Sequence, residues 1–105
     1  MTKEEMLKLN IGNILFNKKT QVVVKLDCCY GPDKKLEEIK DTDYWWVEKT
    51  YGGDGFGTTI KVSEIEDWQV VNNLSDFLNY PNAHANFAIM EIWNLKNRLE
   101  NTTLI

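Results

Sequence analysis

A run of aromatic and glycine residues in the middle of the chain constrains the fold more than any other segment. Residues 44–59 read YWWVEKTYGGDGFGTT and contain four of the six glycines and two of the four tryptophans. Aromatic and β-branched residues favour strands, whereas clustered glycines favour turns. Because a second strand-like run at residues 58–62 follows the glycines directly, the segment predicts a β-hairpin. A dinucleotide-binding loop would lead into a helix instead.

Short apolar runs on either side of this hairpin predict further strands. Residues 11–16 and 21–26 are rich in branched side chains and flank a polar turn, so they predict a second hairpin. A tight bend at residues 63–66 and a fifth strand at residues 67–71 complete the pattern. The sequence therefore predicts a β-rich body over residues 11–71.

Helical patterns lie at both ends of the chain. Thr2 is followed three residues later by Glu5, a capping-box spacing that predicts a short helix over residues 2–10. Residues 82–101 predict a long amphipathic helix with an apolar face made of Ala85, Ala88, Ile92, Leu95 and Leu99. That face is widened by Phe87, Ile89, Met90 and Trp93. Because exposing so much apolar surface lowers solubility, we expect the helix either to pack on the sheet or to form a homodimer, with an oligomer interface at Phe87, Ile89 and Trp93.

These elements predict a single α+β domain over residues 1–105: a small five-stranded antiparallel barrel or curved sheet with a short N-terminal and a long C-terminal helix. The run LNIGNILF at residues 9–16 resembles the opening of SH3-like barrels, and TIKVSEIEDW at residues 59–68 resembles their last strands. The resemblance spans residues 9–71 and implies an SH3-like barrel. In size and acidity the chain is similar to small accessory proteins of bacteria and their phages, including inhibitors of host defence.

Charge and apolar content exclude several classes of protein. The net charge is −4, from 12 basic and 16 acidic residues, which argues against nucleic-acid binding. That conclusion would change only if five lysines clustered in space: Lys18, Lys19, Lys25, Lys34 and Lys35. No apolar run approaches the roughly 20 residues that cross a bilayer, and the first residues do not form a signal peptide. We therefore expect a cytoplasmic protein that does not bind membranes.

Motifs for catalysis and metal binding are weak. Cys28 and Cys29 could pair with His84 as nucleophile and base, but no glycine elbow, flanking signature or second histidine supports this arrangement. The adjacent cysteines are expected to be free thiols, because a disulfide between neighbours is strained. A metal site would need more ligands. We expect no enzymatic activity, no metal and no cofactor.

The central hairpin carries the residues that we expect to contact a partner. Alternation along residues 44–51 directs Trp45 and Val47 to one face and Tyr44 and Trp46 to the other, so only one tryptophan of the pair should lie in the core. The predicted contact set is Tyr44, Trp46, Lys49, Tyr51, Gly53, Asp54, Gly55, Phe56, Thr58, Thr59 and Lys61. The alternatives are that the glycines form only a turn and that the second tryptophan packs beneath the C-terminal helix.

This contact set favours a non-enzymatic binding protein that acts as a stoichiometric inhibitor or sequesters its partner. One alternative is a sponge for a nucleotide-like signal, in which Lys49, Lys61, Thr58 and Thr59 hold phosphate and an aromatic ring stacks on the base. Another is a structural or assembly protein that oligomerises through its C-terminal helix.

Overall fold

A computed structural model describes residues 1–26, 34–47, 49–53 and 57–102. It has an α+β fold with a short N-terminal helix, a long C-terminal helix and antiparallel sheets. The helices are α1 (Lys3–Leu7) and α2 (Pro81–Thr102), with 3-10 helices at Leu36–Glu38, Val62–Asp67 and Leu74–Phe77. The strands are β1 (Ile14–Asn17), β2 (Val23–Lys25), β3 (Tyr44–Val47), β4 (Thr50–Tyr51), β5 (Thr58–Lys61) and β6 (Trp68–Val70).

The strands form two antiparallel sheets. One has four strands in the order β4-β2-β1-β6, and the other pairs β3 with β5. Leu15 in the centre of the larger sheet lies opposite Val24 on one side and Val70 on the other. In the smaller sheet Trp45 lies opposite Ile60. The predicted hairpin of β1 and β2 is therefore present, and the central segment pairs β3 with β5 in the antiparallel direction, as predicted.

The predicted third strand is wrong in one respect, because residues 44–51 form two strands. β3 pairs with β5, whereas β4 pairs with β2 in the other sheet. The described residues thus contain six strands where five were predicted. In the sequence, Glu48 and Lys49 interrupt the aromatic and β-branched run between β3 and β4, so the change of pairing partner follows a charged pair that the prediction included in one strand.

Other boundaries also differ from the prediction. The first helix ends at Leu7, and Ile11 lies in a turn before β1 with 57% of its surface exposed. The predicted bend at residues 63–66 is a 3-10 helix that buries Val62 and Ile65. The capping box at Thr2 is confirmed, since its hydroxyl accepts from the Glu5 backbone N–H at 3.2 Å.

Two apolar clusters form the core. The first lies between the sheets and α1 and includes Met6, Leu15, Trp45, Ile60 and Trp68. The second lies between the four-stranded sheet and α2, and its fully buried or nearly buried members are Phe16, Val23, Phe77, Ala83 and Met90. Its rings pack closely, with 5.2 Å between the centroids of Phe16 and Phe77. The long helix is therefore part of the domain core along its N-terminal half.

The side of α2 that packs on the sheet is only partly within the predicted apolar face, which included Phe87 and Met90 but not Ala83. Ala83 and Met90 are buried, and Phe87 packs on Phe77 with ring centroids 5.3 Å apart. The five residues that defined the predicted apolar face are exposed instead, and they are Ala85, Ala88, Ile92, Leu95 and Leu99. Phe87 is partly buried and packs against the second core cluster. α2 carries apolar side chains on two sides, and its sequence does not say which side meets the sheet.

One glutamine in the β1–β2 connection determines where α2 begins. Gln21 has φ 61°, and its side-chain Oε1 accepts from the backbone N–H groups of Asn82 (3.1 Å) and Ala83 (3.2 Å). The first N–H groups of a helix have no partner within the helix, so this contact satisfies two of them. The Gln21 carbonyl also accepts from Asn86 Nδ2 at 2.8 Å. Gln21 thus anchors α2 to the sheet.

None of the helices in the described ranges combines the length and the apolar composition that a bilayer crossing needs.

Candidate binding surface

The outer side of the β3–β5 sheet presents two adjacent aromatic side chains. Tyr44 is 51% and Trp46 36% exposed, whereas Trp45 between them is 8% exposed. The predicted alternation is therefore confirmed. The register places Lys61 opposite Tyr44 and Thr59 opposite Trp46, so these side chains share one face. We call the four residues Tyr44, Trp46, Thr59 and Lys61 the hairpin face.

Gly57 sets the position of the Trp46 indole. A Cβ atom at Gly57 would lie 2.5 Å from Cζ2 and 2.8 Å from Cη2 of Trp46, and 3.0 Å from the Val47 carbonyl oxygen. Only glycine leaves room for the ring so close to the backbone. The indole is thereby held beside the start of β5, although more than a third of its surface is exposed.

A polar recess adjoins the hairpin. It has a volume of about 310 Å³ and is lined by Gly53, Glu64 and Trp68 together with four threonines, Thr20, Thr50, Thr58 and Thr59. It contains Gly53, Thr58 and Thr59 from the predicted contact set. Among the described residues that line it, Glu64 is the only one with a charged side chain, so these residues do not favour a phosphate. We call it the threonine recess.

Two predicted contact residues, Lys49 and Tyr51, lie against α2 instead of on the hairpin face. Lys49 Nζ is 5.3 Å from the centre of the Tyr51 ring and 4.7 Å from that of Trp93. Lys96 Nζ is 4.9 Å from the Trp93 ring. These distances are those of cation–π contacts. Residues predicted for ligand binding and for oligomerisation therefore meet in one cluster within the chain.

The remaining predicted residues are distributed as follows. Asp54, Gly55 and Phe56 of the contact set, and the cysteines Cys28 and Cys29, lie outside the described residues. His84 stacks on Phe77 with ring centroids 5.6 Å apart. Of the lysines considered for nucleic-acid binding, Lys19 pairs with Asp67 at 3.5 Å and Lys34 with Asp43 at 2.8 Å. In the parts of the chain that are described, no three histidine, cysteine or acidic side chains are grouped to hold a metal ion.

Asp43, which the sequence did not single out, holds the chain just before the hairpin face begins at Tyr44. Its Oδ1 accepts from Lys34 Nζ and its Oδ2 from the Lys40 backbone N–H, both at 2.8 Å. The pKa of Asp43 is held below its usual 3.8 mainly by the hydrogen bond from Lys34 and, to a smaller extent, by the one from the Lys40 backbone. The hydrogen bonds of the ionised Asp43 therefore stabilise the fold at pH values above its usual pKa of 3.8. This contribution is lost as the pH falls through the lowered pKa.

Lys34→Ala is expected to raise the pKa of Asp43 toward its usual value, because the strongest of the contacts that lower it is removed. A carboxyl ¹³C NMR titration measures the change. Lys35→Ala is the control, since Lys35 is a neighbouring exposed lysine and should leave that pKa unchanged. An Asp43 pKa that does not move in Lys34→Ala would show that the ion pair is absent in solution.

Comparison of this chain with known protein families, curated proteins and solved structures found no match.

Proposed function

We propose that this chain is a non-enzymatic binding protein that recognises a protein partner through the hairpin face and inhibits or sequesters it stoichiometrically. The observation that carries the proposal is the exposure of Tyr44 and Trp46 side by side on one sheet face. Aromatic side chains provide much of the energy at protein interfaces, and a polar rim around them excludes water. Thr59 and Lys61 supply such a rim. The small size and mild acidity fit an accessory inhibitor of bacterial or phage origin.

We further propose that the strands close into an SH3-like barrel. The path of the chain supports this: β3 and β4 are separated by only two residues, yet they pair in different sheets. The 3-10 helix Val62–Asp67 then links β5 of one sheet to β6 of the other. In such a barrel the hairpin face lies on the outer wall, where a partner can reach it.

A nucleotide-like signal is the second candidate ligand. The hydroxyl groups of the threonine recess support it, because they can form hydrogen bonds with the ribose of a nucleotide. Two observations weigh against it: Glu64 lines the recess, and Lys49 contacts the rings of Tyr51 and Trp93. Of the two lysines predicted to hold phosphate, only Lys61 then stays with the hairpin. A protein partner therefore fits the described residues better.

Trp46→Ala is expected to weaken partner binding by roughly thirtyfold, the effect of losing one interface hot spot of about 2 kcal/mol. The wild type and the variant are each immobilised, and the proteins that they capture are compared. Mass spectrometry measures the amount of each captured protein and its ratio to the immobilised protein. Leu78→Ala is the matched control, because Leu78 is an exposed apolar residue away from the hairpin. If the wild type and Trp46→Ala captured the same proteins in the same amounts, the hairpin face would not be the binding site.

Native mass spectrometry of the freshly purified protein separates the two candidate ligands. A bound nucleotide would support the sponge and count against a protein partner. A ligand-free mass, unchanged after addition of nucleotides, would exclude the sponge.

A further inference from the structure

α2 carries an exposed apolar stripe that the hairpin face does not explain. Its members are Ala85, Ala88, Ile92, Leu95 and Leu99, and Ile92 is 66% exposed. An α-helix turns by about 100° per residue. Around the α2 axis the stripe therefore spans about 80°, and its centre lies about 180° from the buried Met90. It therefore points directly away from the sheet that α2 covers. We call it the α2 stripe.

We propose that a second copy of this chain covers the α2 stripe through antiparallel pairing of the two α2 helices. The stripe residues follow one another at intervals of three and four, which is the a and d spacing of helices that pair along their length. In an antiparallel pair Ile92 lies against the partner's Leu95, and Ala88 against the partner's Leu99. The same helix thus supplies both halves of the contact, as a twofold axis requires.

Side-chain size favours the antiparallel direction. Ala85 and Ala88 are at one end of the stripe, and the larger Leu95 and Leu99 are at the other. Antiparallel pairing places Ala88 opposite the larger Leu99 of the partner, so that the small side chain is matched by a large one. Parallel pairing would place alanine opposite alanine at one end, leaving a gap with fewer packing contacts.

Charges beside the stripe favour the same partner and direction. Glu91 and Arg98 lie seven residues apart on one flank of the stripe, at equivalent heptad positions. Equivalent flanking positions face each other in an antiparallel pair, so Glu91 lies opposite the partner's Arg98, and the symmetry creates this contact twice. On the other flank Ile89 lies opposite the partner's Lys96, whose methylene groups can cover it. The stripe is therefore complementary to itself.

This interface differs from the predicted one and shares no residue with the hairpin face. Phe87 packs against the second core cluster, and Trp93 lies between Lys49 and Lys96. Of the three predicted interface residues, only Ile89 borders the α2 stripe. The dimer would thus present two hairpin faces and could engage two partners.

Sedimentation equilibrium over a range of micromolar concentrations tests the proposal. The wild type is expected to be a dimer, and Ile92→Asp a monomer with unchanged far-UV circular dichroism. Ile11→Asp is the matched control, because Ile11 is a similarly exposed isoleucine, 57% against 66% for Ile92, outside α2. It should remain a dimer. A monomeric wild type, or a dimer that survives Ile92→Asp, would overturn the proposal.

Charge reversal tests the direction of pairing. Arg98→Glu places glutamate opposite glutamate twice in the antiparallel dimer and should weaken it about tenfold. The exchange Glu91→Arg with Arg98→Glu should restore wild-type affinity. In a parallel dimer Glu91 would lie opposite the partner's Lys96, and the exchange would set arginine against lysine. Failure of the exchange to restore the dimer would therefore overturn the antiparallel arrangement.

Discussion

Trp45→Ala is expected to lower the free energy of unfolding by about 3–5 kcal/mol, whereas Trp46→Ala should lower it by less than about 1 kcal/mol. The two residues are adjacent in sequence, but Trp45 is 8% exposed and packs in the first core cluster. Trp46 lies on the hairpin face. A loss of 3–5 kcal/mol is a large fraction of the roughly 5–15 kcal/mol that stabilises a domain of this size.

Urea unfolding followed by far-UV circular dichroism measures both variants without depending on tryptophan fluorescence. Trp45→Phe is a useful control, because the buried Trp45 Nε1 has no hydrogen-bond partner among the described residues. Phenylalanine keeps most of the packing and removes that unsatisfied donor, so it should cost less than alanine. If Trp46→Ala lowered the free energy of unfolding as much as is expected for Trp45→Ala, both rings would belong to the core. The hairpin face would then not be a binding surface.

The division between Trp45 and Trp46 could be predicted because it depends on local geometry. Successive side chains of a strand point to opposite faces whatever the strand pairs with. The same holds for the existence of α2, whose period of 3.6 residues is a property of the helix itself. For the hairpin face, Tyr44, Trp46, Thr59 and Lys61 were all predicted as contact residues, and the register places them together.

Features that depend on distant parts of the chain could not be predicted in this way. Lys49 is close to the glycine turn in sequence, but α2 brings the centre of the Trp93 ring to 4.7 Å from its ammonium group. The choice between the two apolar sides of α2 likewise depends on the shape of the sheet beneath it. Gln21 gave no signal, because a glutamine with a positive φ is uncommon and its contacts lie more than sixty residues away.

Gly52→Ala is expected to lower the free energy of unfolding by about 2–4 kcal/mol, because it combines backbone strain with a clash against α2. Gly52 has φ +94°, a conformation that residues with a side chain rarely adopt. A Cβ atom there would overlap the side-chain amide of Asn86. Asn86 would have to move, and its 2.8 Å hydrogen bond to the Gln21 carbonyl would be lost. The substitution thus weakens the attachment of α2 to the sheet.

Gly12→Ala separates the two causes in the same chemical denaturation measurement. Gly12 has almost the same φ, +95°, but no described residue other than its chain neighbours comes within 4 Å of its would-be Cβ, so only the strain of about 1–2 kcal/mol should appear. The clash also predicts non-additivity: Asn86→Ala should cost about 1 kcal/mol alone and almost nothing more in the Gly52→Ala background. Equal losses for Gly12→Ala and Gly52→Ala, or additive losses for the Gly52 and Asn86 substitutions, would show that Asn86 does not hold α2 at this position.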